Sequence, residues 1–474
     1  MLYPYLSMLI PIFFGILLLI LNLKENRRLK LFAVTLAIAA SLAFVIVSAI
    51  GDKHISELIP FSDTLGIVFE TDGLSKLFAL TTNLIWLFVA VYSCGYMKHE
   101  QNENLFYGFM LITLGVLNAL WFSGNLLTMY LCFELATLAS MPMVLSSLSK
   151  EAIKAAQKYL FYSIGGAFLA LFGIVVLYSK GLGDGIFGVD TVAIPTDDPL
   201  VLTAMLMMII GFGTKAGMYP MHGWLPTAHP VAPSPASALL SGLIAEAGVF
   251  AVIRVTRCTP VSVKGTWVQY VWLVLALITV FIGSMMAYRE KHIKKRLAYS
   301  TVSQVSYMMA GLACCNSIAF YGAILHCIFH AIIKTALFMS AGSIIMQTGK
   351  TNVDELEGVG KEMPVTMWGY TLASLGLIGI PPACGFFSKY YLCVGALGDA
   401  GLGAFGYIIP AVLIISALLT AGYLLPVTVK GFFPNKDFIP EKRETGAVMY
   451  IPLLLLGVLT FLTSLLVENL SKLI

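Results

Sequence analysis

The sequence is poor in charge: Asp, Glu, Lys and Arg make up only 11% of its 474 residues, whereas 58% are hydrophobic. Charged residues make up about a quarter of a typical soluble domain, so this composition excludes a soluble protein. Apolar runs recur from end to end, and runs of about 18 residues or more are long enough to cross a bilayer. We therefore predict an all-α, multi-pass integral membrane protein, in which a net charge of +4 says little about ligands.

Cysteine is also scarce. The 8 cysteines are scattered singly, apart from the adjacent Cys314 and Cys315, and no CxxC pair or Cys/His grouping has metal-ligand spacing. A disulfide framework and an iron–sulfur cluster are therefore not expected. We predict that the chain holds no metal and no other cofactor, so that any electrons in the function are carried by another chain.

About fourteen apolar spans follow one another. The first begins near the N-terminus without the basic region or the small-residue cleavage site of a signal peptide, so we expect it to be retained. The predicted spans are 3–22, 30–50, 76–95, 104–122, 124–147, 156–179, 200–220, 235–256, 267–287, 295–313, 317–346, 364–396 (interrupted), 407–431 and 447–469.

Loop charges orient these spans. Basic residues concentrate in the loops after the first, fifth and ninth spans and aspartates in the loop after the sixth, which predicts that both termini lie on the outer side. The residues are Lys24, Arg27, Arg28 and Lys30; Lys150, Lys154 and Lys158; Arg289, Lys291, Lys294, Lys295 and Arg296; and Lys180 with Asp184, Asp190, Asp197 and Asp198. The loop after the eighth span is an exception, with Arg254, Arg257 and Lys264.

The seventh span ends in an unusual stretch, residues 214–237, which reads TKAGMYPMHGWLPTAHPVAPSPAS. Proline lacks the amide N–H and crowds the preceding turn, so the helix containing Lys215 should break at or just before Pro220. Within lipid, a broken helix is tolerated only where it is packed in protein or lines a wet cavity. We predict a discontinuous transmembrane helix with an ionisable group at its break.

A second break is predicted in the twelfth span, where Pro381 and Pro382 precede Lys389. Two interrupted spans five spans apart are typical of inverted repeats, because five is odd and reverses the orientation. The predicted organisation is an N-terminal segment of helices 1 to 3, a first repeat of helices 4 to 8, a second repeat of helices 9 to 13, and helix 14. The corresponding boundaries are 1–103, 104–256, 257–431 and 432–474.

Five ionisable side chains are expected inside the membrane: Glu134, Lys215, Glu246, Lys334 and Lys389. Each costs about 2.5–3.5 kcal/mol at the bilayer centre, so each must be paired or hydrated. Glu134 is either a structural ion pair or a partner of Lys215, whose protonation would change when the carboxylate moves. Glu246 either pairs with Lys215 across the break and transfers protons, or faces a partner chain.

His326, His330 and Lys334 follow one another at four-residue steps, which places them on one helix face. A zinc site lacks a third ligand in the sequence, and a histidine bonded to a core carbonyl is a further alternative. A proton relay is favoured because histidine titrates near neutral pH and both donates and accepts hydrogen bonds. Lys389 would continue this relay towards the far side.

Several motifs together resemble the antiporter-like membrane subunits shared by respiratory complex I, membrane-bound nickel–iron hydrogenases and Mrp-type Na+/H+ antiporters. The resemblance spans nearly the whole chain. The motifs are TDGLSKLF at Asp72, FELATL at Glu134, the broken-helix stretch at Lys215, KKRLAYSTVSQVSYM, HCIFHAIIKTALFM at Lys334 and GIPPACGFFSK at Lys389.

The resemblance implies about fourteen transmembrane helices with two inverted five-helix repeats, two discontinuous helices and a central hydrophilic axis. It implies that Glu134 and Lys215 form a coupling ion pair, that His330 and Lys334 form the mid-membrane relay, and that Lys389 is the exit-side group. Many relatives carry a lysine where this chain has Glu246. Lys389 differs from the glutamate usual in the M-type subunit of complex I, so the N type, the Mrp D type and the hydrogenase equivalents remain.

We therefore expect a proton-translocating subunit, without its own cofactor, of a redox-driven complex of the NADH:quinone oxidoreductase or hydrogenase type in a prokaryotic cell membrane. Its expected partners are other membrane subunits, including antiporter-like neighbours and a redox arm. The alternative is a subunit of a Mrp-type Na+/H+ antiporter, in which Na+ also moves. A stand-alone transporter of an organic solute is a remote alternative, because no pocket of mixed specificity is evident.

Overall fold

The structure, a computed structural model, describes residues 2–21, 26–62, 65–183, 185–187, 194–257 and 259–470. Lys24, Asp184 and Asp190, which entered the count of loop charges, lie outside these ranges. The α-helices are α1 (Leu2–Leu21), α2 (Arg27–Ile50), α3 (Gly73–Tyr96), α4 (Glu103–Trp121), α5 (Leu126–Leu145), α6 (Lys150–Ser179), α7 (Pro199–Gly213), α8 (Leu225–Val231), α9 (Ser234–Leu239), α10 (Glu246–Arg257), α11 (Trp267–Arg289), α12 (Ile293–Ala313), α13 (Ser317–Thr348), α14 (Val359–Glu362), α15 (Pro364–Ile378), α16 (Cys384–Leu397), α17 (Phe405–Phe432), α18 (Ala447–Leu462) and α19 (Val467–Leu470).

The chain is a mostly helical, multi-pass membrane protein. By length and composition, 11 helical segments in the described ranges are apolar enough to cross a membrane. Each of the predicted spans overlaps at least one helix. The predicted spans outside those 11 segments are the two interrupted ones and α12, which is long enough but rich in serine, threonine and glutamine.

Two small sheets, which the sequence analysis did not predict, lie outside the helical spans. Strands β1 (Ile55–Pro60) and β2 (Gly66–Glu70) form an antiparallel hairpin, and β3 (Ile194–Pro195) pairs in parallel with β4 (Val261–Ser262). The hairpin packs on the turn between α4 and α5, where Glu70 N donates to Phe122 O at 2.7 Å and Gly124 N donates to Val68 O at 2.8 Å. It therefore covers one end of α3, α4 and α5.

The centre of the molecule is α13, which packs against α3, α9, α12, α15, α16 and α18. The most apolar stretch of α13 is buried over its whole length, and so is that of the segment from Ser234 to Arg257. In α1, α2 and the α18 segment only 33% of the equivalent stretch is buried. The ionisable residues of α13 therefore lie as far from lipid as this fold allows.

The first helix break lies earlier than predicted. α7 ends at Gly213, so Lys215 lies in the turns beyond the helix and not within it. The backbone of Gly217 has φ +72°, a left-handed conformation that glycine adopts without steric cost, and Pro220 cannot continue a helix. The chain becomes helical again at Leu225.

The second break lies between Ile378, where α15 ends, and Cys384, where α16 begins. Gly379 follows α15 with φ +89°, a common way for a helix to end. Lys389 lies on α16, a turn and a half beyond the break. Each break also contains one cis peptide bond, Tyr219–Pro220 in the first and Pro381–Pro382 in the second.

Two groups of basic residues that the sequence analysis assigned to loops are buried. Arg254 lies in α10 with 1% of its side chain exposed, and it donates to Asp72, the N-cap residue of α3, at 2.5 and 2.9 Å. Lys294 and Arg296 lie in the first turn of α12. The exceptional loop charge at Arg254 is thus explained, because this arginine joins two helices and does not orient a loop.

We predict that Gly385→Ala destabilises the second break. A Cβ atom at this position would collide with the carbonyl oxygen of Gly376, so α16 would have to move away from α15. Such overpacking costs about 1–3 kcal/mol and should lower the apparent melting temperature of the purified protein. Gly446→Ala is the matched control, because no atom lies within 4 Å of its added Cβ. Equal melting temperatures for the two variants would contradict the close packing of α15 on α16.

Candidate functional site

His326, His330 and Lys334 lie on one face of α13, as their spacing predicts, and all three are buried. His330 Nδ1 lies 3.0 Å from Glu246 Oε1, within hydrogen-bond distance, and Glu246 is only 2% exposed. The expectation that Glu246 pairs with Lys215 or faces a partner chain is therefore wrong. The structure joins Glu246 to the relay on α13.

A π-helical segment, Leu240–Ile244, lies directly before Glu246 and was not predicted from the sequence. Such insertions shift the register of the residues that follow them and are frequent at functional sites. The segment touches α13 closely: a Cβ on Gly242 would lie 2.7 Å from Thr335 Oγ1 and 3.0 Å from Ala331 O. The absence of a side chain at Gly242 therefore lets the two backbones approach where Glu246 reaches His330.

His326 connects α13 to the second broken helix. Its Nδ1 lies 2.9 Å from Ser388 Oγ on α16, and its Nε2 lies 3.2 Å from Gln304 Oε1 on α12. The rings of His326 and His330 are 6.3 Å apart between centroids. The two histidines thus extend the polar contacts from Glu246 to the residue before Lys389.

Lys389 lies at the end of α15. Its Nζ donates to Leu377 O at 2.5 Å and to Ile378 O at 2.9 Å, and it lies 5.3 Å from the ring centroid of Tyr307. The Tyr307 ring also stacks on His326 at 5.5 Å. The lysine is therefore held by backbone oxygens that the helix break leaves without helical partners.

Lys334 is held by α12. Its Nζ donates to Leu297 O at 3.0 Å and to Ser300 Oγ at 2.7 Å, and the Tyr423 hydroxyl reaches the same serine at 2.7 Å. The sequence analysis missed Ser300, Gln304 and Tyr423. A signal was present, since α12 carries serine, threonine or glutamine at nearly every turn of a buried helix.

Lys215 and Glu134 lie near each other but make no direct bond. Lys215 Nζ donates to Phe133 O at 2.7 Å and lies 3.9 Å from the centroid of the Phe133 ring. No nitrogen–oxygen contact within 4.0 Å joins Lys215 to Glu134, although the two charges interact electrostatically. Glu134 is partly exposed on the outside of the chain, whereas Lys215 is 1% exposed.

Two further buried residues adjoin the relay. His229 on α8 is fully buried and stacks on Phe338 at 4.7 Å, and neither of its ring nitrogens has a hydrogen-bond partner among the described residues. Lys294 donates to Ala232 O at 2.5 Å, and both Lys294 and Lys334 interact electrostatically with His229. His229 lies in the proline-rich stretch after Lys215, so its position in the sequence was a usable signal.

A metal centre has no support in this arrangement. In the described part of the chain, no group of three or more His, Cys, Asp or Glu residues could hold a metal ion. His326 and His330 each use Nδ1 for a different helix, and the second nitrogen of His326 contacts Gln304. What the groups share is the capacity to accept and release protons.

Residues 123–413 match the family described as "NADH:quinone oxidoreductase/Mrp antiporter, TM", and residues 60–107 match "NADH-Ubiquinone oxidoreductase (complex I), chain 5 N-terminus". The first match covers more than half of the chain. The chain belongs to this family. The matched ranges include each lysine, histidine and glutamate of the site.

Individual proteins of the family are similar over most of the chain. NADH-quinone oxidoreductase subunit N of Desulforudis audaxviator is 30% identical, over 96% of this chain and 94% of that protein. One Na(+)/H(+) antiporter protein of Alkalihalophilus pseudofirmus is 32% identical, over 85% of this chain but 53% of that protein. A chain of the membrane-bound sulfane sulfur reductase, an archaeal respiratory membrane complex, shares the fold with a TM-score of 0.86 at 21% identity, over 99% of this chain and 96% of that chain.

We predict that Glu246→Leu destabilises the protein and that Glu246→Gln does so much less. Leucine leaves His330 Nδ1 without a partner, and Nε2 of the same ring already lacks one among the described residues. A buried polar group without a hydrogen bond costs about 1–3 kcal/mol, whereas glutamine retains an acceptor of similar size. Thermal unfolding of both variants measures the difference. Unchanged stability of Glu246→Leu would show that the contact with His330 contributes nothing.

Proposed function

We propose that this chain is a proton-translocating subunit of a redox-driven membrane complex of the NADH:quinone oxidoreductase or hydrogenase type, without a cofactor of its own. The observation that carries the proposal is the buried line of Glu246, His330 and His326, which leads from α10 to the residue beside Lys389. Lys334 lies on the same face of α13. Such groups are costly in a membrane, which favours a transport role over a packing role.

The coupling step is assigned to Lys215 and Glu134. In the structure the ammonium group rests on the carbonyl and ring of Phe133, with Glu134 nearby but not bonded. A movement of α5 or of the break would bring the carboxylate to the lysine and favour its protonated form, and the reverse movement would favour release. Because Glu134 is partly exposed on the chain surface, a neighbouring protein of the complex is able to act on it directly.

The onward path runs along α13. We assign His229 and Glu246 to the link between Lys215 and the relay, and His330, His326 and Lys334 to the relay itself. Lys389 is the group that exchanges protons on the far side. The breaks at Pro220 and at Pro381 and Pro382 mark the two half-channels of the proposed inverted repeats, residues 104–256 and 257–431, which follow helices 1 to 3 in 1–103 and precede helix 14 in 432–474.

The partners and the setting are part of this proposal. We place the chain in the cell membrane of a prokaryote, with both termini outside, among antiporter-like neighbours and a redox arm. The match to subunit N extends over 94% of that relative, which supports a redox-driven complex. The match to the Na(+)/H(+) antiporter protein of Alkalihalophilus pseudofirmus, over 53% of that protein, keeps a Mrp-type Na+/H+ antiporter as the second candidate.

We predict that Lys215→Ala and Glu134→Ala abolish proton translocation by the intact complex while electron transfer and assembly persist. Each variant removes one of the two charges whose separation sets the protonation of the lysine. The measurement is dye-detected acidification in proteoliposomes of the purified complex during redox turnover. Lys154→Ala, at an exposed lysine of α6, is the control and should pump normally. Normal pumping by either site variant would refute the coupling role.

The identity of the complex is a separate prediction. Purification of the tagged chain from native membranes should recover subunits with redox centres, and proton movement should require an electron donor and acceptor. Recovery of small antiporter subunits only, together with Na+-dependent proton exchange in the absence of redox turnover, would instead establish the Mrp-type alternative. Mass spectrometry of the purified assembly and a Na+ titration distinguish the two outcomes.

A further inference from the structure

We propose that Glu246 has a second proton connection, which leads through the interface of α3 and α10 to the end of the protein that carries Asp72, and that Phe78, Trp121 and Phe250 form its gate. We call this end the Asp72 face; it comprises Asp72, Glu70 and Lys53. The inference rests on the proposed function, because it gives Glu246 a second route beside the contact with His330.

The first step is a cavity beside Glu246. It is lined by Glu246 and Leu243, by Cys327 and Ile328 of α13, and by Phe78, Thr81 and Thr82 of α3, and it has a volume of about 10 Å³. A polar cavity of about this size holds a single water molecule. The carboxylate is therefore not closed off by His330, since its surroundings also include hydroxyl groups on α3.

The second step is an aromatic cluster that blocks the way outward. The ring centroids are 5.2 Å apart for Phe78 and Phe250, 4.9 Å for Trp121 and Phe250, and 5.2 Å for Phe78 and Trp121. All three rings are buried. Trp121 Nε1 has no hydrogen-bond partner in the described part of the chain, so the cluster contains a donor that a passing water molecule would satisfy.

The third step is a polar cluster beyond the rings. Arg254 donates to both carboxylate oxygens of Asp72, at 2.5 and 2.9 Å, and to Ser75 Oγ at 2.8 Å. The Asp72 side chain is 21% exposed, so the cluster reaches the protein surface. Glu70 lies beside it and binds Lys53, a half-exposed lysine, at 2.7 Å.

The two carboxylates of this cluster differ in their capacity to take up a proton. Burial raises the pKa of Asp72, but Arg254 and Ser75 more than offset this effect and lower the pKa to about 2. Burial raises the pKa of Glu70, and Lys53 counteracts only part of this shift. Glu70 is therefore the better proton acceptor at the mouth, whereas the Asp72–Arg254 pair holds α3 to α10.

The order of these groups follows from helix geometry. Glu246, Phe250 and Arg254 are spaced four residues apart on α10, which places an acid, a ring and a cation on one face. Eight residues of helix span about 12 Å, so one buried layer separates Glu246 from the polar cluster. A hydrophobic layer of this kind stops ions and water while it stays dry and conducts when it is wetted.

The test is passive proton conduction by proteoliposomes of the purified complex without redox substrates, driven by a potassium diffusion potential. Phe250→Ala should raise the conductance several-fold above wild type by opening the aromatic layer. Adding Glu246→Gln, or Thr82→Val, to Phe250→Ala should abolish the increase, because each removes a group that the path needs. Phe106→Ala, at a fully buried ring of α4 outside this path, is the control and should not conduct.

Two results would overturn the proposal: no added conductance in a fully assembled Phe250→Ala complex, or added conductance that persists with Glu246→Gln. If Phe250→Ala does not assemble, Phe250→Leu should give a smaller conductance with the same dependence on Glu246, and its absence counts equally against the path. The proposed function stands or falls separately, because pumping by Lys215→Ala is measured during redox turnover and this conductance is measured without it.

Discussion

The fold depends on one constraint: an ionisable side chain inside a membrane must be held by atoms of another helix. Lys215 is held by a carbonyl of α5, Lys334 by a carbonyl and a hydroxyl of α12, and Lys389 by the last carbonyls of α15. Each such contact fixes a pair of helices at hydrogen-bond distance. The buried position of α13 follows from this requirement, because its polar residues need partners on both sides.

The two helix breaks solve the same problem differently. Lys389 uses carbonyl oxygens at the C-terminal end of α15, where a helix carries partial negative charge. Lys215 lies beyond the C-terminal end of α7 but is bonded to Phe133 in the middle of α5. A lysine held by its own broken helix is tied to that helix, whereas Lys215 is tied to the helix that also carries Glu134. The first break is accordingly the better placed of the two to respond to movement of α5.

Much of the fold could be predicted from the sequence, because apolar runs and prolines act locally. The spacing of His326, His330 and Lys334 placed them on one face, and the structure agrees. The partner of Glu246 could not be predicted, since the π-helical segment and the approach at Gly242 depend on tertiary packing. Arg254 and Lys294 were misassigned because loop charges and buried cations near a span end look alike in a sequence. The transfer roles of Glu134, Lys215, Lys334 and Lys389 remain predictions.

The polarity of α12 has a consequence for how the protein enters the membrane during synthesis. Helices α11 and α13 are apolar enough to cross by themselves, whereas α12, between them, is not. A helix with Lys294, Arg296 and Gln304 has no favourable state in lipid until α11 and α13 surround it. The three helices must therefore leave the insertion machinery together, with the relay side chains already covered, so that a synthesis intermediate never exposes them to lipid.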